Sequence, residues 1–247
     1  MKLGKAYIGT SGWKYRHWEG NFYPDDLKKK DQFKYFTENF DTVELNNSFY
    51  RQPSIDNFKQ WQLQSPKNFT YAVKANRYFT HLKKLNVEQA EIVDFLKATE
   101  GLENKLGPIL FQLPPKWKLN TERLERFLER LPKKHRYTFE FRNPSWYHDD
   151  VFTLLAQYNC AFCIYELAGH QSPILSTADF VYIRLHGPEG KYQGSYNNNS
   201  LTKWNNMLIS WMKEGKDVYL YFDNDQAGYA AFNALEIKKM IGSTYQK

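Results

Sequence analysis

The sequence holds only 2 cysteines among 247 residues, which excludes a disulfide-stapled scaffold and fits a reducing compartment. It has no apolar run long enough to span a bilayer, so no membrane association is expected. The first residues, Met1 to Trp13, lack the apolar stretch of a signal peptide, and a cytoplasmic location is expected. No Gly/Ser-rich linker, low-complexity tract or repeat divides the chain. One domain over residues 1–247 is therefore expected. After the first apolar segment, Gly9-Thr10-Ser11-Gly12-Trp13 misses the glycine spacing of a dinucleotide-binding turn, and no cofactor is expected.

Aromatic and basic residues are what the chain has in quantity. Phe, Trp and Tyr make up 17%, and 34 Lys and Arg against 27 Asp and Glu give a formal charge of +7. Cationic grooves with stacking platforms bind single-stranded nucleic acid, so this composition raises that class of partner. Aromatics also fill cores, and lysines also solubilise helix faces. The runs Lys28 to Lys30, Lys133-Lys134 and Lys238-Lys239 lie in or beside helical patterns, and no single basic block stands out.

Eight short runs rich in β-branched and aromatic residues read as strands: Ala6 to Thr10, Thr42 to Asn46, Phe69 to Lys74, Pro108 to Leu113, Tyr137 to Arg142, Ala161 to Glu166, Phe180 to His186 and Val218 to Asn224. Helical spacings separate most of them. Leu124, Phe127, Leu128 and Leu131 follow an Asn120 cap, and Trp204, Leu208, Trp211 and Met212 follow Ser200. Between the sixth and seventh strands only a Pro/Ser segment appears, so one helix is vestigial. The pattern predicts an α/β fold, a single TIM-type (β/α)8 barrel of parallel strands.

Strand side chains alternate between faces, and in such a barrel one parity faces helices while the other faces inward. In Phe180 to His186, Val181, Ile183 and Leu185 make the apolar face, which leaves Tyr182, Arg184 and His186 inward. The same rule turns Thr138, Glu140 and Arg142 inward, and Thr42, Glu44 and Asn46 with them. Lys74 and Gln112 point inward at the ends of the third and fourth strands. In the last strand, if Tyr219 and Tyr221 face in, Asp223 follows, and Asn224 sits at the rim. Charges gathered at strand C-termini mark a site, since barrel enzymes place their chemistry there. A self-satisfied salt-bridge lattice is the competing reading.

Other signals are weaker. Cys160 and Cys163 form a C-x-x-C on a strand, where residues three apart point to opposite faces, so reduced thiols and no bound metal are expected. Gly187 to Gly194, with Lys191 inside it, follows the seventh strand and reads as a substrate-covering loop or a phosphate cradle. Trp13, Tyr15, Trp18, Phe22 and Tyr23 after the first strand either stack on a ligand or plug the barrel.

Seven blocks, GTSGWKYRHWEGNFYP, FDTVELNNSFYRQP, YAVKANRYFTH, LGPILFQLPP, FEFRNPSW, YIRLHG and YLYFDNDQAGYAAFNA, resemble in order those of the YecE-like proteins, known as domain of unknown function 72. The resemblance runs from Gly9 to about Ala234. It implies a TIM-type barrel with a site at the strand C-termini, and no established reaction. The blocks contain Glu44, Asn46, Tyr50, Arg51, Lys74, Thr80, His81, Gln112, Glu140, Arg142, Arg184, His186 and Asn224.

The expected function is an enzyme acting on a sugar or nucleotide-like anionic small substrate. Glu44 and Glu140 serve as acid and base, with His186 shuttling a proton. Asn46, Lys74, Gln112, Arg142, Tyr182, Arg184, Lys191 and Asn224 bind the anionic or polyhydroxyl ligand. Two alternatives stand. One is a divalent-metal hydrolase or isomerase using Glu44, Glu140, His186 and Asp223; the other is a module that binds single-stranded nucleic acid or ligand without turnover. A site built for a ligand predicts that Arg184→Ala and Glu140→Gln leave the fold intact, whereas a lattice predicts a large loss.

Overall fold

The computed structural model describes residues 2–245, in an α/β fold of the TIM-type (β/α)8 barrel class with eight parallel strands. The strands are β1 (Ala6–Thr10), β2 (Thr42–Leu45), β3 (Thr70–Lys74), β4 (Leu106–Leu113), β5 (Tyr137–Phe141), β6 (Ala161–Leu167), β7 (His170–Gln171), β8 (Phe180–Leu185) and β9 (Asp217–Phe222). The helices are α1 (Gln32–Asn39), α2 (Asn47–Tyr50), α3 (Ile55–Gln64), α4 (Gln89–Thr99), α5 (Thr121–Glu129), α6 (Asp149–Gln157), α7 (Asn198–Lys213) and α8 (Tyr229–Tyr245), with a π-helical turn at Tyr78–Leu82. The sheet order is β1-β9-β8-β6-β5-β4-β3-β2, and a parallel bridge from Ser11 to Glu44 links the two ends of that order.

The eight expected strands appear within two residues of their predicted limits. No helix lies between β6 and β8 among the described residues, as expected. In its place β7 folds back antiparallel on β6 through Ala168 and Gly169, both at positive φ. Two residues are too few to show a period, so nothing in the sequence marks β7. Asn120 caps α5 by accepting from the Arg123 N–H at 2.8 Å. The cap of α7 is Asn197, which accepts from the Ser200 N–H at 2.9 Å, so that helix starts ahead of the expected Ser200. No described helix is long and apolar enough to cross a membrane.

The chain divides into two compact units. The first comprises Met1–Glu44, Ile164–Ile174 and Asp179–Lys247, and it holds β1, β8 and β9. Gly9 has to be glycine here, because a Cβ would stand 2.4 Å from the Thr42 carbonyl oxygen. Along these strands the inward side chains become more polar toward the C-termini. Tyr7 stacks on Tyr219 at 4.6 Å, and Phe180 meets Tyr219 edge-on. Next come Tyr182 and Tyr221, whose rings lie 5.3 Å apart, with the Tyr221 hydroxyl 2.7 Å from that of Thr42. Beyond them lie Glu44, Arg184 and Ser11.

The second unit comprises Leu45–Cys163 and Leu175–Ala178. Its sheet pairs β3 with β4, β4 with the whole of β5, and β5 with the first residues of β6, all in parallel. Phe139 and Phe141 face outward as the alternation predicts, since Phe139 lies 6.2 Å from Phe127 of α5 and Phe141 stacks on Trp146 at 4.9 Å. Lys105 is buried and donates to the Gln62 and Ser65 carbonyls, so a cation closes the C-terminus of α3. Burial holds its ammonium below the usual lysine range.

Candidate functional site

In the first unit the structure joins four of the predicted residues. Arg184 donates from Nε to Glu44 Oε2 at 2.9 Å and from NH2 to Oε1 at 2.7 Å, a forked contact between buried groups. Glu44 Oε1 also accepts from Ser11 Oγ at 2.7 Å, and Oε2 from the Tyr182 hydroxyl at 2.6 Å. Burial, then the Glu44 charge, holds that phenol well above the ordinary range, so it stays a donor. Arg184 NH2 reaches Asp223 Oδ2 at 3.3 Å, and NH1 lies 3.3 Å from His186 Nε2.

This geometry fixes the histidine tautomer. A guanidinium only donates, so His186 Nε2 accepts. The ring proton then sits on Nδ1, which donates to Asp223 Oδ2 at 2.9 Å. Both ring nitrogens of His186 are committed, and both oxygens of Glu44 are engaged. Arg184 thus meets two carboxylates, Glu44 and Asp223.

Two loops at the same strand ends add a second pairing. Asp225, just past β9, accepts from the Trp18 indole N–H at 2.7 Å through Oδ1, and its Oδ2 lies 2.9 Å from His17 Nε2. The Asp225 side chain is 10% exposed and that of His17 is 41%, so solvent reaches this pair. Burial pushes the Asp225 carboxyl up to about 6, against the opposing hydrogen bond from Trp18. Asn21 Nδ2 donates to the Ala227 carbonyl at 2.8 Å and ties the two loops together. Tyr15, which donates to the Ser11 carbonyl, has its phenol raised by burial and then by Asp223 and Asp225.

The loop after β8 returns over His186. Tyr192 N–H donates to the His186 carbonyl at 2.7 Å, and the two rings meet edge-on at 5.4 Å. Gly187, at φ +113°, permits this return, since a Cβ there would stand 2.1 Å from the Gln193 carbonyl oxygen. Lys191 is exposed on this loop. Asn224 is buried, and its Nδ2 donates to the Gly194 carbonyl and Asn233 Oδ1, both at 2.9 Å, so it braces the loop.

The remaining predicted residues lie in the second unit. Glu140 pairs with Arg142 Nε two residues along the chain, and the Cys163 thiol lies 3.9 Å from its Oε2. Gln112 stands in register with Glu140 on the neighbouring strand. Lys74 Nζ lies 4.4 Å from the centre of the Phe49 ring, and Asn46 precedes α2. His81 is held below the ordinary imidazole range by burial and then by Lys74 and Arg77. Cys160 and Cys163 are free, buried thiols on different partners. That of Cys160 donates to the Tyr158 carbonyl at 3.5 Å and is pushed up to about 12 by burial. Among the described residues no group of three or more His, Cys, Asp or Glu is placed to hold a metal ion.

Sequence reasoning missed Ser11, Asp225 and His17; it raised Trp18 only as a stacking or plugging aromatic, and Asp223 only as an inward residue and metal ligand. Inward parity carried past the strand ends reaches Ser11 from β1 and Asp223 from β9. No period reaches the others, which sit on loops.

Comparison with known proteins agrees with the sequence blocks. Residues 7–247 match the family model described as protein of unknown function DUF72. UPF0759 protein YunF of Bacillus subtilis is 26% identical, over 97% of this chain and 95% of its own. A solved DUF72 family protein from Thermotoga maritima is 30% identical with a TM-score of 0.87, covering 96% of this chain and 99% of that one. Another, from Enterococcus faecalis, shares the fold at 18% identity with a TM-score of 0.81, over 96% and 95% of the two chains.

Proposed function

The chain belongs to the DUF72 family, and for this member we propose an acid–base enzyme acting on a small polyhydroxyl substrate. The observation that carries it is the Asp225–His17 pair, a partly solvent-accessible carboxyl and imidazole 2.9 Å apart at the C-terminal strand ends. A carboxyl that titrates near 6 is available both as acid and as base close to neutrality. Barrel enzymes place their chemistry at this end of the strands.

In this reading Asp225 gives a proton to a hydroxyl or carbonyl oxygen of the substrate, and His17 and Trp18 orient it. Glu44 and His186 take supporting roles. Their polar atoms are held by Arg184, Ser11, Tyr182 and Asp223, and they make the rigid floor under the reacting group. The carboxylates gathered here, Glu44, Asp223 and Asp225, suit the hydroxyls of a polyhydroxyl substrate, for which a carboxylate is a hydrogen-bond acceptor.

The test is a panel of aldoses, ketoses, glycosides and sugar phosphates incubated in deuterated water and followed by proton NMR. This reads both isomerisation, as deuterium uptake, and hydrolysis. Turnover should fall as pH rises through about 6. Asp225→Asn should lower it by a factor of ~100 or more, the usual size of a general acid–base contribution. Turnover unchanged in Asp225→Asn, or none across the panel, overturns the reading.

A further inference from the structure

We propose that the connection from β2 to α3 in the second unit forms a separate binding site for a nucleoside monophosphate. A cavity of about 600 Å³ lies there, lined by Asn47, Arg51, Gln52, Pro53, Ser54, Asn57 and Trp61. That volume falls in the usual range for small-molecule sites. None of these residues belongs to the Asp225 site, so the inference stands apart from the function proposed above.

The polar groups around the cavity divide into those already used and those left over. Ser54 and Asn57 satisfy one another as the capping box of α3. Asn57 N–H donates to Ser54 Oγ at 3.2 Å, and Ser54 N–H to Asn57 Oδ1 at 3.1 Å. Gln52 Nε2 donates to the Pro53 carbonyl at 3.4 Å, but its Oε1 is shut from solvent and accepts no hydrogen bond. A buried acceptor left unmet is unfavourable, and a turn of this amide toward the cavity would let a ligand N–H satisfy it. Arg51 is exposed and makes no ion pair among the described residues. Its guanidinium is therefore available to an anion. The half-buried indole of Trp61 completes the wall.

These features specify the ligand's chemistry. Trp61 calls for a flat ring, Gln52 Oε1 for an amine or ring N–H on it, and Arg51 for an anionic arm. A nucleobase, its exocyclic amine and a 5′-phosphate supply all three.

Calorimetric titration of the full chain with adenosine 5′-monophosphate tests this. Saturable binding is expected, weakened about tenfold or more by Arg51→Ala and about threefold or more by Gln52→Leu, while Asp225→Asn leaves it unchanged. Adenosine and ribose 5-phosphate should each bind at least about tenfold more weakly than the nucleotide. Thermal melts should show both variants folded, since neither side chain packs in the core. Four outcomes would each overturn the proposal: no saturable binding, equal affinity for ribose 5-phosphate, indifference to Arg51→Ala, or far tighter, steeply salt-dependent binding of an oligonucleotide.

Discussion

Two buried carboxylates each meet an arginine in this molecule, and they do so in different ways. Glu44 in the first unit is held from other strands, by Arg184 and Tyr182 of β8 and by Ser11 just past β1. Glu140 in the second unit is met by Arg142 from two residues along its own chain. The Glu44–Arg184 side chains are 0% and 1% exposed, whereas Arg142 is 8% exposed. A contact that ties strands together in a dry interior is part of the fold. The other is made within a single strand end, by an arginine somewhat more exposed than Arg184.

The largest expected effect follows from the first of these. Arg184→Ala strands Glu44 without its forked partner and takes a donor from His186 and from Asp223. Breaking one side of a buried pair costs ~3–5 kcal/mol. At ~2–4 °C per kcal/mol for a chain of this size, the melting temperature should drop by ~6–20 °C. The expectation that Arg184→Ala leaves the fold intact therefore gives way, for this residue, to the lattice reading. A drop of no more than a few degrees in differential scanning calorimetry would show that Glu44 is not dependent on its arginine.

Arg142→Ala should do less. It removes a charge-assisted hydrogen bond worth ~1.5–3 kcal/mol, so the expected drop is ~3–12 °C. Arg142 is the more exposed of the two arginines, so less buried contact is lost with it. If Arg142→Ala destabilises as much as Arg184→Ala in parallel melts, the distinction between a cross-strand anchor and a local pair fails.

The sequence makes the first cluster legible and leaves the loops dark, for a physical reason. Strand alternation has a period of two, so Tyr182, Arg184 and His186 share a face whatever the loops do, and Glu44 follows from Val43 and Leu45 on its own strand. The same rule turned Glu140 and Arg142 to one side. Carried beyond the strand ends, it reaches Ser11 and Asp223. Asp225, His17 and Trp18 lie on connections whose path is set by turn geometry and by each other, and no periodicity predicts that they meet. Asn224 shows the opposite case. Its position beside Asp223 reads as a binding residue, but its amide holds the Gly194 carbonyl and Asn233.

Asp225 extends the comparison to a carboxylate whose described hydrogen bonds come from an indole and an imidazole, and it carries the smallest expected effect. Its folded carboxyl titrates at about 6 against an ordinary 3.8, so the folded chain holds this proton more tightly than the unfolded one. Stability from that preference is full below about 4 and is lost as pH rises through about 6. Two pKa units correspond to ~3 kcal/mol gross. Asp225→Asn does not titrate there, and its amide can still accept from Trp18 and donate to His17. Its weaker, uncharged hydrogen bonds offset most of the gain, which leaves a net ~1 kcal/mol, or ~2–4 °C, at neutral pH. The variant should thus melt above the parent at pH 7, and this advantage should shrink as the pH falls toward 4. Glu44→Gln, by contrast, should melt below the parent at both values, because its carboxylate is anchored by a guanidinium. Melting curves of the two variants across that range decide the matter. An Asp225→Asn difference that stays flat with pH, or that grows as the solution is acidified, would mean that Asp225 keeps its charge across this range and is no acid at neutrality.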